Sequence, residues 1–163
     1  MSMIIPIVDD NDKIISYKNR NDVTQEDTYR VSALWIINSK KKVLLARRAF
    51  HKKHDPGCWG PAVAGTIEKG ETYTSNIIKE AFEEIGLRNI RPIKKMKVRI
   101  SGQHNYFVQW FILKIDMDIN KFRIDTNEVD SIKWFRRDEL IKGLKDNESE
   151  FNRSMKRYVK LFC

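Results

Sequence analysis

One amphipathic helix, Thr72 to Ile85, constrains this chain more than any other feature, because its two faces ask for opposite surroundings. At about 100° per residue, Ile78, Ala81, Phe82 and Ile85 fall at i, i+3, i+4 and i+7, which predicts a face anchored to a sheet. Glu80, Glu83 and Glu84 form a second face by the same spacing rule. Carboxylates three and four positions apart on a helix are neighbours and repel, and the nearby cation is Lys79. Were that face partly enclosed, repulsion at ~6 Å and an effective dielectric of ~20 would reach about 3 kcal/mol per pair. A divalent cation would remove this cost, and oxygen ligands select hard ions such as Mg²⁺ or Mn²⁺. A solvated helix surface is the competing reading, and the helix alone does not decide between them.

The segments around the helix read mainly as strands. Ile4–Val8 and Ile14–Tyr17 flank a polar turn and predict a hairpin, as do Val31–Ile37 and Val43–Ala46 around the Asn38–Lys42 turn. Arg47 and Arg48 leave the end of the second hairpin. Ala49 to Trp59 is a basic loop broken by Pro56-Gly57, then Pro61–Ala64 is a short strand. Met96–Ile100, Tyr106–Ile115 and Ser131–Phe135 complete the strands. Asp138 is the expected N-cap of a helix with Leu140, Ile141 and Leu144 inward. Phe151, Met155, Tyr158, Val159 and Phe162 share one face of a last helix. Strands and helices do not alternate regularly, so the expected class is α+β, a mixed sheet packed between helices in an α/β/α sandwich. No repeat or linker divides the chain, and residues 1–163 are expected to form one domain.

Composition excludes some roles. Two cysteines among 163 residues, Cys58 and Cys163, cannot build a disulfide framework. Met1–Val8 is too short for a secretory signal, and no stretch approaches the ~20 apolar residues of a membrane span. A cytoplasmic protein is expected, with no membrane partner. A net charge of +9 attracts polyanions, but the basic residues are scattered, so an RNA partner is permitted and not demanded.

The wider spacing around the helix is specific. Gly65 is followed after five residues by Glu71, then after seven by Lys79-Glu80, an apolar residue, any residue, Glu83-Glu84, any residue, Gly86 and Leu87. This resembles the Nudix box, with Lys79 in place of the family's arginine. Pro56-Gly57-Cys58-Trp59 and Glu128…Trp134-Phe135 also resemble the family's surroundings, and the likeness runs from about Val31 to Leu144. The resemblance implies a Nudix-like fold and a Mg²⁺-dependent hydrolase of diphosphate linkages. Its substrates would be nucleoside diphosphates joined to another group, or nucleoside triphosphates. It further implies metal ligation by Glu80, Glu83, Glu84 and the Gly65 carbonyl, with Glu71 and Lys79 tying the loop to the helix and Gly86 ending it. Because lysine lacks arginine's planar fork, looser fixation of that loop is expected.

The proton acceptor would be Glu80 or a residue outside the box, for which Glu128 is the candidate; an exposed loop glutamate is the equal alternative. Arg47 or Arg48 is a candidate clamp for substrate phosphates. His51 and His54 read as exposed loop residues, Cys58 as buried and unreactive, and Trp35, Trp59, Trp110 and Trp134 as core. The hairpin and the Arg47–Trp59 loop are also similar to isopentenyl diphosphate isomerases. Those carry a catalytic cysteine just before the box glycine and a histidine just after it, where this chain has Ala64 and Thr66. Without a proton-transfer group there, isomerisation lacks its agent. The remaining alternatives are an RNA 5′-end pyrophosphohydrolase and a non-catalytic RNA- or nucleotide-binding module. A monomer and a homodimer are both compatible with the family.

Overall fold

The computed structural model describes residues 2–162, with only the backbone described for residues 160–162. Its centre is a long strand, β3 (Thr28–Ile37), rich in the β-branched and apolar residues that suit a sheet buried on both faces. One edge of β3 runs parallel to β8 (Asn105–Lys114) along its whole length, from Thr28 opposite Asn105 to Ile37 opposite Lys114. Three short partners share the other edge. The first is β1 (Ile4–Val8) at Thr28, the second β6 (Val63–Thr66) at Val31–Leu34, and the third β4 (Val43–Arg48) at Ile36–Ile37.

The sheet then extends outward. The strand β2 (Ile14–Asn19) hairpins onto β1, and β7 (Ile93–Ile100) pairs with β8. Both β5 (Trp59–Pro61) and β9 (Val129–Phe135) pair with β4. All pairings but β3–β8 are antiparallel. Among the described residues the strands therefore make one mixed sheet of nine.

Alternation along β3 and β8 separates two cores. Ala33, Trp35, Val108 and Trp110 face α2 (Arg137–Asp146) and α3 (Met155–Phe162), through Leu140, Leu144, Met155, Tyr158 and Val159. Leu34, Ile36, Phe111 and Leu113 face α1 (Tyr73–Ile85), through Ile77, Ala81 and Ile85. One helix on one face and two on the other give the α/β/α sandwich. No helix among the described residues is long and apolar enough to cross a membrane.

Several local expectations are corrected. The strand β4 runs on past Ala46 to end with Arg47 and Arg48, and the Pro61–Ala64 stretch is divided between β5 and β6. The N-cap of α2 is Arg136, and Asp138 instead accepts hydrogen bonds from the Arg136 guanidinium. Ile141 is about half exposed, since Leu140 and Leu144, one turn apart, define the inward line. Phe151 precedes α3 and forms a bridge to Trp59, although it packs in the same core. The Phe162 side chain and Cys163 lie outside the described residues.

Candidate active site

The helix α1 is well delimited. Thr72 and Ser75 form a reciprocal capping box, and Gly86, at φ 75°, closes the other end by donating to the carbonyls of Ala81 and Phe82. Its inward face differs from the expected one. Ile77, Ala81, Ile85 and Asn76 are buried, whereas Ile78 and Phe82 are exposed and the Arg88 guanidinium lies over the Phe82 ring. Two adjacent isoleucines offered two possible apolar stripes, and tertiary packing selected the one through Ile77. This rotation carries Glu80 and Glu84 towards the sheet. They sit one turn apart beside Ala81, while Glu83 remains exposed.

The strand β6 supplies the opposing wall. Gly65 lies opposite Ser32 in the β3–β6 register, and a Cβ on Gly65 would stand 2.6 Å from Glu80 Oε1. Only a residue without a side chain leaves room for that carboxylate. Burial, with the charges of Glu83 and Glu71 adding to it against the opposing Lys79, pushes the Glu80 carboxyl up to about 7. Glu84 is raised well above the usual range by desolvation, then by Glu80 and Glu128. Arg48 and a hydrogen bond from the Ala64 N–H oppose this only in part.

Glu128 reaches Glu84 because the loop before β9 is stitched to the end of α1. Arg123 N–H donates to the Ile85 carbonyl and Asp125 N–H to the Glu84 carbonyl, at 3.2 and 2.9 Å. The Glu128 carboxylate accepts from Lys52 at 2.5 Å, and its backbone carbonyl accepts from Ala49 N–H. Lys52 was not singled out from sequence, since one lysine in a basic loop carries no positional signal.

Alternation along β4 separates the two arginines. Arg48 follows the α1 side and acts electrostatically on Glu84, while its Nε donates to the His54 carbonyl. Arg47 points to the other face, donates to the Gly57 carbonyl and lies over the rings of Phe50 and Trp59. The sequence places both at one strand end, but only Arg48 lies beside the acidic cluster. His51 and His54 are exposed, and the His54 ring meets His104 edge-on. Cys58 is only partly buried; its thiol donates to the Ser149 carbonyl, and burial together with the Asp55 charge raises its pKa. Trp35 and Trp110 are fully in the core, whereas Trp59 and Trp134 are partly exposed at its margin.

Lys79 stands 2.7 Å from both Glu68 and Glu71. Burial opposes ionisation of Glu71, but Lys79, the Glu68 N–H and Asn76 hold its carboxyl below the usual range. One ammonium thus bridges two carboxylates, where the family's arginine would offer a planar fork. Asn76 itself escaped notice in the sequence. Its signal was a polar residue one turn before Glu80, hidden while the helix face was centred on Ile78.

Among the described residues no three His, Cys, Asp or Glu side chains are already gathered as a metal cage. The donor chemistry nonetheless fits a hard divalent cation, since partly buried carboxylates that resist ionisation gain most from a positive charge.

Comparison with known proteins bears on the family and the fold. The model of the NUDIX domain matches residues 27–159. An uncharacterised Nudix hydrolase of Nostoc sp. is 28% identical, covering 89% of this chain and 87% of its own. An isopentenyl-diphosphate Delta-isomerase of Pectobacterium atrosepticum is 28% identical over 52% of this chain and 48% of its own. The crystal structure of DR0079 from Deinococcus radiodurans superposes with a TM-score of 0.80 at 20% identity, covering 97% of this chain and 98% of that one. A MutT NUDIX hydrolase from Burkholderia pseudomallei does so with 0.66 at 16% identity, over 83% and 98%. From the box, the sandwich that displays it and the match across most of its length, the chain belongs to the Nudix family of hydrolases, which act on nucleoside diphosphate derivatives.

Proposed function

We propose that this protein hydrolyses the diphosphate linkage of a nucleoside diphosphate joined to another group, or of a nucleoside triphosphate, with Mg²⁺ (or Mn²⁺) as its cofactor. The observation that carries this reading is the pair Glu80 and Glu84 on one side of α1, Glu80 packed against Gly65 and both held above the usual carboxylate range, first by burial, then by Glu83 and Glu71 at Glu80 and by Glu80 and Glu128 at Glu84. Two such acids beside each other are costly for a fold unless a cation compensates them. Glu80, Glu83, Glu84 and the Gly65 carbonyl would hold it. When bound, it would increase the acidity of water and neutralise charge on the phosphoryl oxygens.

The chain's own groups divide the remaining work. A water oxygen forms a new bond to one phosphorus while the bridging P–O bond breaks, leaving two phosphate-ended products. Glu128 or Glu80 accepts the water's proton, and Glu128 can do so when its ion pair with Lys52 opens. Arg48 meets a substrate phosphate from the β4 side. Lys79 and Glu71 keep the loop between Gly65 and α1 in place. Ala64 and Thr66 stand where proton-transfer groups would be needed for isomerisation, which favours hydrolysis. We take residues 1–163 to work as one cytoplasmic domain, as a monomer or homodimer.

The test is a Mg²⁺-dependent screen of nucleoside triphosphates, dinucleoside polyphosphates, nucleotide sugars and capped RNA. Turnover of at least one class, stopped by a chelator, is expected. No turnover with either Mg²⁺ or Mn²⁺ would overturn the reading, and salt-sensitive RNA affinity indifferent to Mg²⁺ would replace it with a binding module.

A further inference from the structure

Asn76 and Ser32 are the two polar residues of the α1–β3 interface with no exposed surface at all. Ser32 Oγ and Asn76 Oδ1 lie 2.5 Å apart. On its other side, Asn76 Nδ2 donates to Glu71 Oε2 at 2.8 Å, to the Thr66 carbonyl at 3.2 Å and to Glu80 Oε1 at 3.3 Å. The amide has one orientation consistent with these partners. Turning it over would set its oxygen against the Thr66 carbonyl and the Glu71 carboxylate already paired with Lys79, neither of which donates. The serine hydroxyl then supplies the hydrogen for Oδ1.

Anchoring the helix does not require this arrangement. Ile77 and Ala81 already bury the same face, and an apolar residue at position 76 would avoid the cost of burying an amide. What the amide adds is a shared donor for two acids that belong to different elements, Glu71 in the loop and Glu80 on α1. Ser32 lies opposite Gly65 in the strand register, so the strand pair that makes room for Glu80 also carries the hydroxyl that aims Asn76.

We propose that the Ser32–Asn76 pair is a positioning device that fixes the Glu80 carboxylate for cation binding and locks it to the Glu71 loop. This rests on the metal-site reading above. Asn76 acts through Glu80 and need not touch substrate. Partners of this kind commonly alter metal affinity or activity by about 10- to 100-fold.

The experiment measures Mn²⁺ binding without substrate, by the loss of the free-ion electron paramagnetic resonance signal, in wild type, Asn76→Ala and Ser32→Ala. Steady-state kinetics against Mg²⁺ concentration accompany it. Expected is a Mn²⁺ Kd raised about 10-fold or more in Asn76→Ala and less in Ser32→Ala. Turnover should be partly restored by excess Mg²⁺, with KM for the nucleotide little changed. Lower melting temperatures with unchanged Mn²⁺ affinity would show a merely structural role and overturn the proposal. Should Asn76→Ala fail to fold, the milder Ser32→Ala decides by the same criterion. If wild type itself does not bind Mn²⁺, the metal-site reading falls first and this inference with it.

Discussion

At the residue scale, space and charge meet at Gly65. The position a Cβ would take there is already within 2.6 Å of a Glu80 carboxylate oxygen, so the glycine is required by the neighbouring acid and not by a left-handed backbone. Gly65→Ala should displace Glu80 while leaving β6 paired, since alanine fits an extended strand. A displacement near 1 Å at a reacting centre can cost about 100-fold in turnover. We expect a loss of that order in kcat with a far-ultraviolet dichroism spectrum like wild type. Undiminished turnover would show that Glu80 does not need its present position. Lys79 makes a complementary point. Its compact ammonium reaches Glu68 and Glu71 together, replacing the missing arginine fork by a different geometry.

At the element scale, strand alternation assigns the two arginines of β4 to different tasks. Arg48→Ala should raise KM for a diphosphate substrate about 10-fold, because a charge-assisted contact of about 1.5 kcal/mol is lost, with the melting temperature nearly unchanged. Arg47→Ala should do the reverse. Freed from Gly57, Phe50 and Trp59, the Ala49–Trp59 loop should lose amide-exchange protection before KM changes. Equal effects of the two variants would contradict the assignment.

The same scale explains what was legible in sequence. The hairpins, the mixed sheet and the box were readable because β-branched runs and glycine–glutamate spacing are local patterns. The facing of α1 was not. Ile77 and Ile78 are adjacent, and only the packing of β3 and β8 beneath the helix selects between the stripes. The positions of Glu128 and Lys52 depend on a loop stitched to α1 by backbone hydrogen bonds, which have no residue signature. Asn76 was missed for the reason that made it useful, a polar side chain at a position where apolar ones are expected.

At the scale of the whole molecule, the fold holds a strained acidic edge between two well-packed cores. Glu80 and Glu84 have folded-state pKa values above the ordinary carboxylate value of 4.5, Glu80 at about 7. Between these limits the folded protein binds more protons than the unfolded one, so its stability falls as pH rises through that window. The metal-free protein should therefore melt lower at pH 7.5 than at pH 5.5, and Mg²⁺ should restore the difference by binding the folded state. The most direct test of the central claim is Glu84→Gln at pH 7.5, measured for both metal-free melting temperature and Mg²⁺-dependent diphosphate hydrolysis. Replacing a carboxyl whose charged form is disfavoured by burial, Glu80 and Glu128 should raise the melting temperature, by about 2–4 °C for each kcal/mol regained, while turnover falls to nearly nothing. Wild-type turnover in that variant would contradict the account, whatever its stability.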